Sequence, residues 1–301
     1  MTGSDRHGPA RFLLLAFLTF AWGSNWPAIK IAVGEMPIWQ YRAATALLAG
    51  AVVLAYAQAR KYPLRVPRRQ WLALGFVSLT NVTIWLVLVA YGVRLVESGQ
   101  ASLVGFTAPL WVVVLARIFL GEPLSPRRLG ALAVGLGGIL VLLWPSLGSF
   151  GDRPLGFLMV MLAAMLFGAG TIVTKRVDWA VPPASFAGWH LLIGGIPIAV
   201  IAVVLEPFAL DQASMTAWLA AGYTTLIGLI LAYITWFRAM ELFDASVASI
   251  STLAVPAFGL LSGAVVLGEP LGWRELVALM MVLGAVALVV IEPWRARQSD
   301  A

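Results

Sequence analysis

The run Ala101 to Leu124, ASLVGFTAPLWVVVLARIFLGEPL, returns 147 positions later as Ala248 to Leu271, ASISTLAVPAFGLLSGAVVLGEPL. Ala101 and Ser102 recur as Ala248 and Ser249, Pro109 as Pro256, and Gly121-Glu122-Pro123-Leu124 as Gly268 to Leu271. A second echo, at an offset of 145, sets Trp22-Gly23 through Lys30 against Phe167-Gly168 through Lys175. The chain is therefore an internal duplication, and each copy has to solve the same folding problem. The copies divide at residues 1–148 and 149–301.

The solvent for that fold is set by composition. Hydrophobic residues make up 61% of the 301 and charged residues 11%, with a mean hydropathy of +0.91. A water-soluble domain carries about 25% charged residues, so this chain has too few to cover a surface in water. Its apolar runs fall at about 12–33, 37–58, 70–93, 97–120 and 128–144, then 154–177, 184–205, 214–239, 245–268 and 273–293. Each is long enough for a helix that crosses a bilayer, which takes about 20 residues. The expected fold is an all-α membrane protein of ten transmembrane helices, five per copy. The first run, preceded by Arg6 and Arg11, has the look of a signal peptide, but its duplicate inside the chain argues for a structural role.

Parity supplies topology. A copy with an odd number of crossings delivers the second copy to the opposite face, so the two are inverted repeats around a central cavity, as in many secondary transporters. With the amino terminus inside, 15 of the 20 Lys and Arg fall in inner segments and 4 in outer ones, Arg42 being the remainder. The positive-inside bias then places both termini in the cytoplasm. It also accounts for the net charge of +6 without nucleic acid, because the cations flank membrane spans.

Polar and aromatic residues inside the runs mark the interior of the bundle, since lipid is a poor neighbour for them. Asn25, Asn81, Thr107, Tyr223, Thr224 and Thr252 form one set, and Asn25 and Asn81 are the first choices for touching a solute. Trp22, Trp85 and Trp111 lie deep, with Trp236, and offer apolar walls; Phe167 and Tyr233 are lesser candidates. Trp39, Trp71, Trp144, Trp179, Trp218, Trp273 and Trp294 stand near run ends as interfacial anchors. Pro109 and Pro256, mid-run in the fourth and ninth helices, each remove an N–H and free the carbonyl four residues back, which predicts a paired kink or hinge. His190 is open to packing or to proton handling. Arg42 either snorkels to the outer interface or meets a substrate carboxylate. Lys30 and Lys175 read as complements to helix C-terminal dipoles. Gly130, Ala131, Ala133, Gly135, Gly137 and Gly138 give the fifth helix a small-residue face for the tenth, or for a second copy of the chain.

The Trp22-Gly23-Ser24-Asn25-Trp26-Pro27-Ala28-Ile29-Lys30 stretch, its echo Phe167-Gly168-Ala169-Gly170 to Lys175, and the two Gly-Glu-Pro-Leu ends resemble the drug/metabolite transporter superfamily. The resemblance is to its ten-helix exporters with two EamA-type repeats, and it covers nearly the whole chain. It implies alternating access through a cavity lined mainly by the first, third, fourth, sixth, eighth and ninth helices. It also implies a bacterial inner-membrane exporter of small metabolites, amino acids and aromatic ones among them.

Several classes are disfavoured. The chain has no Cys, no His-Glu-x-x-His, no Gly-x-Gly-Asp and no deep acid–base pair, so neither an enzyme nor a metal site or cofactor is expected. No Asp or Glu lies deep in any run, which disfavours proton-coupled multidrug efflux and fits a neutral or zwitterionic solute. Exchange of sugar phosphates or nucleotide sugars calls for two or more deep cations, and only Arg42 comes close. A non-transporting sensor or scaffold stays open. The expected partners are a small-molecule substrate and the lipid bilayer, with a monomer or weak homodimer as the assembly.

Overall fold

The computed structural model describes residues 9–120, 126–144, 153–236 and 254–299. Among them there is no strand, and ten helical spans follow one another. The first half holds α1 (Pro9–Gly23 and Asn25–Glu35), α2 (Ile38–Ala59), α3 (Arg68–Leu95), α4 (Ser98–Gly105 and Ala108–Leu120) and α5 (Pro126–Leu143). The second half holds α6 (Arg153–Arg176), α7 (Pro183–Leu205), α8 (Met215–Trp236), α9 (Val255–Leu267) and α10 (Trp273–Ser299). Six of these are long and apolar enough to cross a membrane, and Leu129–Leu142 and Val255–Leu267 are shorter apolar helices.

The packing maps onto itself when each helix is exchanged with the one five places on. α3 lies on α6 as α8 lies on α1, α9 lies on α1 as α4 lies on α6, and α2 runs along α7. This is the pattern of a pseudo-two-fold axis between two five-helix units. Where the two units meet, small residues allow close contact. Gly135 and Gly138 of α5 face Ala285 and Met281 of α10, so the small-residue face is used inside the monomer.

Among the described residues four spans depart from regular α-helix, each for a local reason. In α1 the helix breaks at Ser24, because Pro27 has no N–H for the Gly23 carbonyl. Ser262 of α9 donates its hydroxyl to that carbonyl instead, at 3.2 Å. In α4 the break falls at Phe106-Thr107, ahead of Pro109, which stands second in the new segment. Thr107 closes the gap, donating its amide to Val104 O at 3.1 Å and its hydroxyl to the same oxygen at 2.6 Å. Finally, α3 and α8 each widen into a π-helical stretch, over Leu79–Ile84 and Thr224–Leu231. There Thr80 and Thr225, offset by 145, cap the carbonyls of Phe76 and Ala221 with their hydroxyls.

Candidate functional site

Asn25 and Asn81 sit against bare backbone in reciprocal fashion. Asn25 of α1 packs on Gly228 of α8, where an added Cβ would lie 2.5 Å from its Oδ1. Asn81 of α3 packs on Gly170 of α6, where a Cβ would overlap both its Oδ1 and the Thr80 hydroxyl. Gly170 is the sequence equivalent of Asn25 and Gly228 that of Asn81, at offsets of 145 and 147, so each asparagine of the first half meets a glycine of the second at the exchanged position. Asn81 Oδ1 accepts a bond from Thr80 at 3.0 Å. Asn25 Oδ1 is buried and has no partner among the described residues, as is true of Thr224 Oγ1 and Trp111 Nε1. One residue before Thr224, Tyr223 shares a 2.6 Å hydrogen bond with Ser24, at the break in α1.

Aromatic faces lie on the same helices α1, α3 and α4, and on α6. Trp85 of α3 and Phe167 of α6 lie with ring centroids 5.0 Å apart, and Trp26 of α1 and Phe106 of α4 at 6.4 Å. Both indoles reach over Gly105, where a Cβ would come within 2.8 Å of Trp26 and 3.4 Å of Trp85. Trp111 backs onto Gly168 of α6. Trp22 pairs with Trp236 at 5.6 Å, in a separate small cluster with Leu15, Leu18 and Ala21. Tyr233 packs against the cluster that joins α2, α3 and α7.

His190 is placed elsewhere. Its Nδ1 lies 3.3 Å from the Ser78 hydroxyl and its ring stacks on Phe186, outside the aromatic group around Gly105. Pro256 is the second residue of the described part of α9, and Thr252 lies outside the described residues. Of the tryptophans read as anchors, Trp71, Trp144, Trp218 and Trp273 are exposed at span ends, whereas Trp39 turns inward to donate to Tyr91 Oη at 3.1 Å.

Two charged residues differ from their sequence readings. Arg42 does not reach the interface; it is 1% exposed. Its neighbours on the chain enter α2 under the carboxylate of Glu206, which accepts the Trp39 and Gln40 amides and so anchors the helix start inside the bundle. Lys30 stands mid-segment in α1 and not at its C-terminus. It donates to Glu269 Oε1 at 3.0 Å and to Val96 O at 2.8 Å.

Glu269 belongs to the second Gly-Glu-Pro-Leu. Gly268 adopts φ 65°, and the amides of Gly268 and Glu269 close on Ala264 O and Gly263 O, a Schellman ending that only glycine adopts without cost. That turn aims Glu269 at the start of α4, where it accepts from Ser98 N at 2.7 Å, Ser98 Oγ at 2.9 Å and Gly99 N at 3.0 Å. Burial pushes the carboxyl up, but the Gly99 and Ser98 amides and the Lys30 ammonium outweigh it and hold it below its ordinary value of 4.5. The result is a latch across α1, α4 and α9. Its sequence counterpart in the other half starts from Lys175, which is exposed; Glu122 lies outside the described residues.

Sequence reasoning missed Trp26, Phe106, Gly228, Ser262 and the latch. The reciprocity of Asn25 and Gly170 was within reach, because both stand at one position of the duplicated motif.

Comparison with known proteins gives a consistent result. A family model described as the EamA-like transporter family matches residues 11–144 and again 154–291. A WAT1-related chloroplastic protein of Arabidopsis thaliana is 28% identical over 278 residues, covering 90% of this chain and 67% of its own. An Escherichia coli protein named "Probable amino-acid metabolite efflux pump" is 26% identical over 295 residues, covering 94% of this chain and 96% of its own. A crystal structure superposes with a TM-score of 0.68 at 22% identity, covering 98% of this chain and 100% of that one, a likeness of fold alone.

Proposed function

Because the chain belongs to the EamA-like transporter family, we propose that it exports small neutral or zwitterionic metabolites across a bacterial inner membrane by alternating access. Amino acids are the foremost class, aromatic ones included, and both termini face the cytoplasm. The observation that carries this reading is the grouping on α1, α3, α4, α6 and α8 of aromatic faces with unpartnered neutral polar atoms. Trp26, Trp85, Phe106 and Phe167 supply the faces; Asn25 Oδ1, Thr224 Oγ1 and Trp111 Nε1 supply the atoms. Such a site suits an uncharged or zwitterionic organic solute: apolar walls with a few convergent polar groups. Among the described residues the acids stand at or near helix ends, which leaves none of those carboxylates for a lipophilic cation or a proton there. The name of the Escherichia coli relative, a probable amino-acid metabolite efflux pump, points the same way.

In this reading the Glu269–Lys30 latch holds the outer ends of α1, α4 and α9 together, so the solute enters from the cytoplasm. The test is flux into proteoliposomes, comparing tryptophan, threonine, a sugar phosphate and a lipophilic cation with and without a pH gradient. Amino-acid flux should ignore the gradient and fall in Trp85→Ala. Proton-driven movement of the cation would refute the reading.

A further inference from the structure

Arg42 is a buried cation without a counter-ion among the described residues. It is 1% exposed, and its Nε and Nη2 are both buried and without a partner among the described residues. None of the described carboxylates at the same end of the bundle pairs with it: Glu97 takes Arg153 at 2.8 Å and Glu275 takes Gln100 at 2.9 Å. Glu206 is held by the Trp39 and Gln40 amides at 3.2 and 3.0 Å, Glu35 by the amide and hydroxyl of Ser214 at 2.8 Å each, and Glu269 by the latch. What the guanidinium does have is the ring of Tyr41, 4.8 Å from its carbon to the centroid; the Tyr41 hydroxyl is itself buried and unpartnered.

The identity of the two free nitrogens matters. Nε–H and the adjacent N–H of Nη2 share one edge of the planar guanidinium and point in parallel, a fork that matches the two oxygens of a carboxylate. A charge left unpaired at this depth is costly, and such residues are retained in membrane spans where a solute or ion uses them. Arg42 stands four residues into α2, about 6 Å below its start, while Asn25 and Thr224 lie about 15 Å from the same end on α1 and α8. α2 packs on α8, and α8 on α1.

We propose that the Nε/Nη2 edge of Arg42 receives the carboxylate of the transported solute, with the solute's side group directed toward the level of Asn25. This rests on the transport reading above and narrows it: the solute carries a carboxylate, and amines or amides of the same shape are excluded.

The experiment uses the purified full-length chain. Thermal unfolding in chloride-free detergent buffer is followed with a panel of neutral amino acids, aromatic ones included, with the matching amides, and with chloride alone. Proteoliposome counterflow is run on the same panel. At least one acid should raise the melting temperature of the wild type where its amide does not. Arg42→Met should weaken that acid's binding about ten- to a hundredfold. It should melt no lower than the wild type without ligand, because an apolar chain replaces an unpaired charge. Arg42→Lys keeps the charge without the fork and should bind in between.

Equal stabilisation by acid and amide, stabilisation by chloride alone, or no stabilisation by any acid would each overturn the proposal. So would Arg42→Met melting well below the wild type while Arg42→Lys binds the acid undiminished, since Arg42 would then serve packing. Absence of flux in the wild type would refute transport, and the melting comparison would still read the Arg42 site by itself.

Discussion

Replacing Glu269 by Gln removes one charge and leaves the shape of the latch unchanged. The carboxylate accepts four hydrogen bonds at 2.7 to 3.0 Å, and its side chain is 9% exposed. In the amide, the remaining carbonyl can serve Ser98 N and Lys30, but without the charge that strengthened both bonds. The new NH2 faces the Gly99 amide, donor against donor; only the Ser98 hydroxyl can turn to suit it. One orphaned N–H and two weakened charge-assisted bonds amount to about 2–3 kcal/mol. On the scale for large domains that lowers the melting temperature by roughly 4–12 °C at pH 7. The effect has a pH signature. Glu269 is more acidic folded than unfolded, so its contribution is complete above its ordinary value of 4.5 and disappears as pH falls through the lower folded value. Wild type and Glu269→Gln should therefore differ at pH 7 and converge once the pH has fallen well below 4.5, measured by thermal unfolding in detergent. If opening of the latch exposes α4, the same energy favours the open form by about 30- to 150-fold. The chain has no cysteine, so a single Ser102→Cys, buried in α4, reports opening directly through a membrane-impermeant maleimide. A Glu269→Gln protein that melts with the wild type at pH 7 and labels no faster would refute the latch.

Two further substitutions address the Asn81 contact and the break in α1. Gly170→Ala drives a methyl into the Asn81 amide and the Thr80 hydroxyl, and should cost about 1–3 kcal/mol; an unchanged melting temperature would show that Asn81 is not wedged there. Tyr223→Phe removes the 2.6 Å bond to Ser24 and should cost about 1 kcal/mol. It should also slow solute flux if the break in α1 shapes the pathway; unchanged flux at wild-type stability would separate the break from transport.

Where the helices lie was legible because spans in lipid must satisfy every backbone group internally, and long apolar runs announce them. The expected 37–58 and the observed Ile38–Ala59 differ by one residue at each end. The interruptions were less legible, since they depend on donors from other helices. Pro27 lies in the motif, but its effect on Gly23 is visible only once Ser262 arrives from α9. The α4 break was expected at Pro109 and falls two to three residues earlier, where Thr107 can close the gap with its own hydroxyl. Charges were read least well. Arg42 near a span end satisfies the rule for snorkelling, and nothing in the sequence says that Glu206, 164 positions away, draws that end of α2 inward. Lys30 and Glu269 meet across 239 positions for the same reason. The π stretches in α3 and α8 gave no signal, because a single wide turn barely disturbs the apolar pattern of a helix that is hydrophobic on most of its faces.

Those two π stretches also carry a date. A π turn holds one more residue than an α turn, so it is the trace of a single-residue insertion into a helix. Leu79 and Ile84, moved by the offsets of 145 and 147 that relate the copies, land on Thr224 and Leu231, the two ends of the second stretch. The widened turn thus falls at the same place in both copies, as it would if it predated the duplication. Excising one residue from either stretch now would rotate the remainder of its helix by about 100°, and in α3 would carry Trp85 away from Phe167.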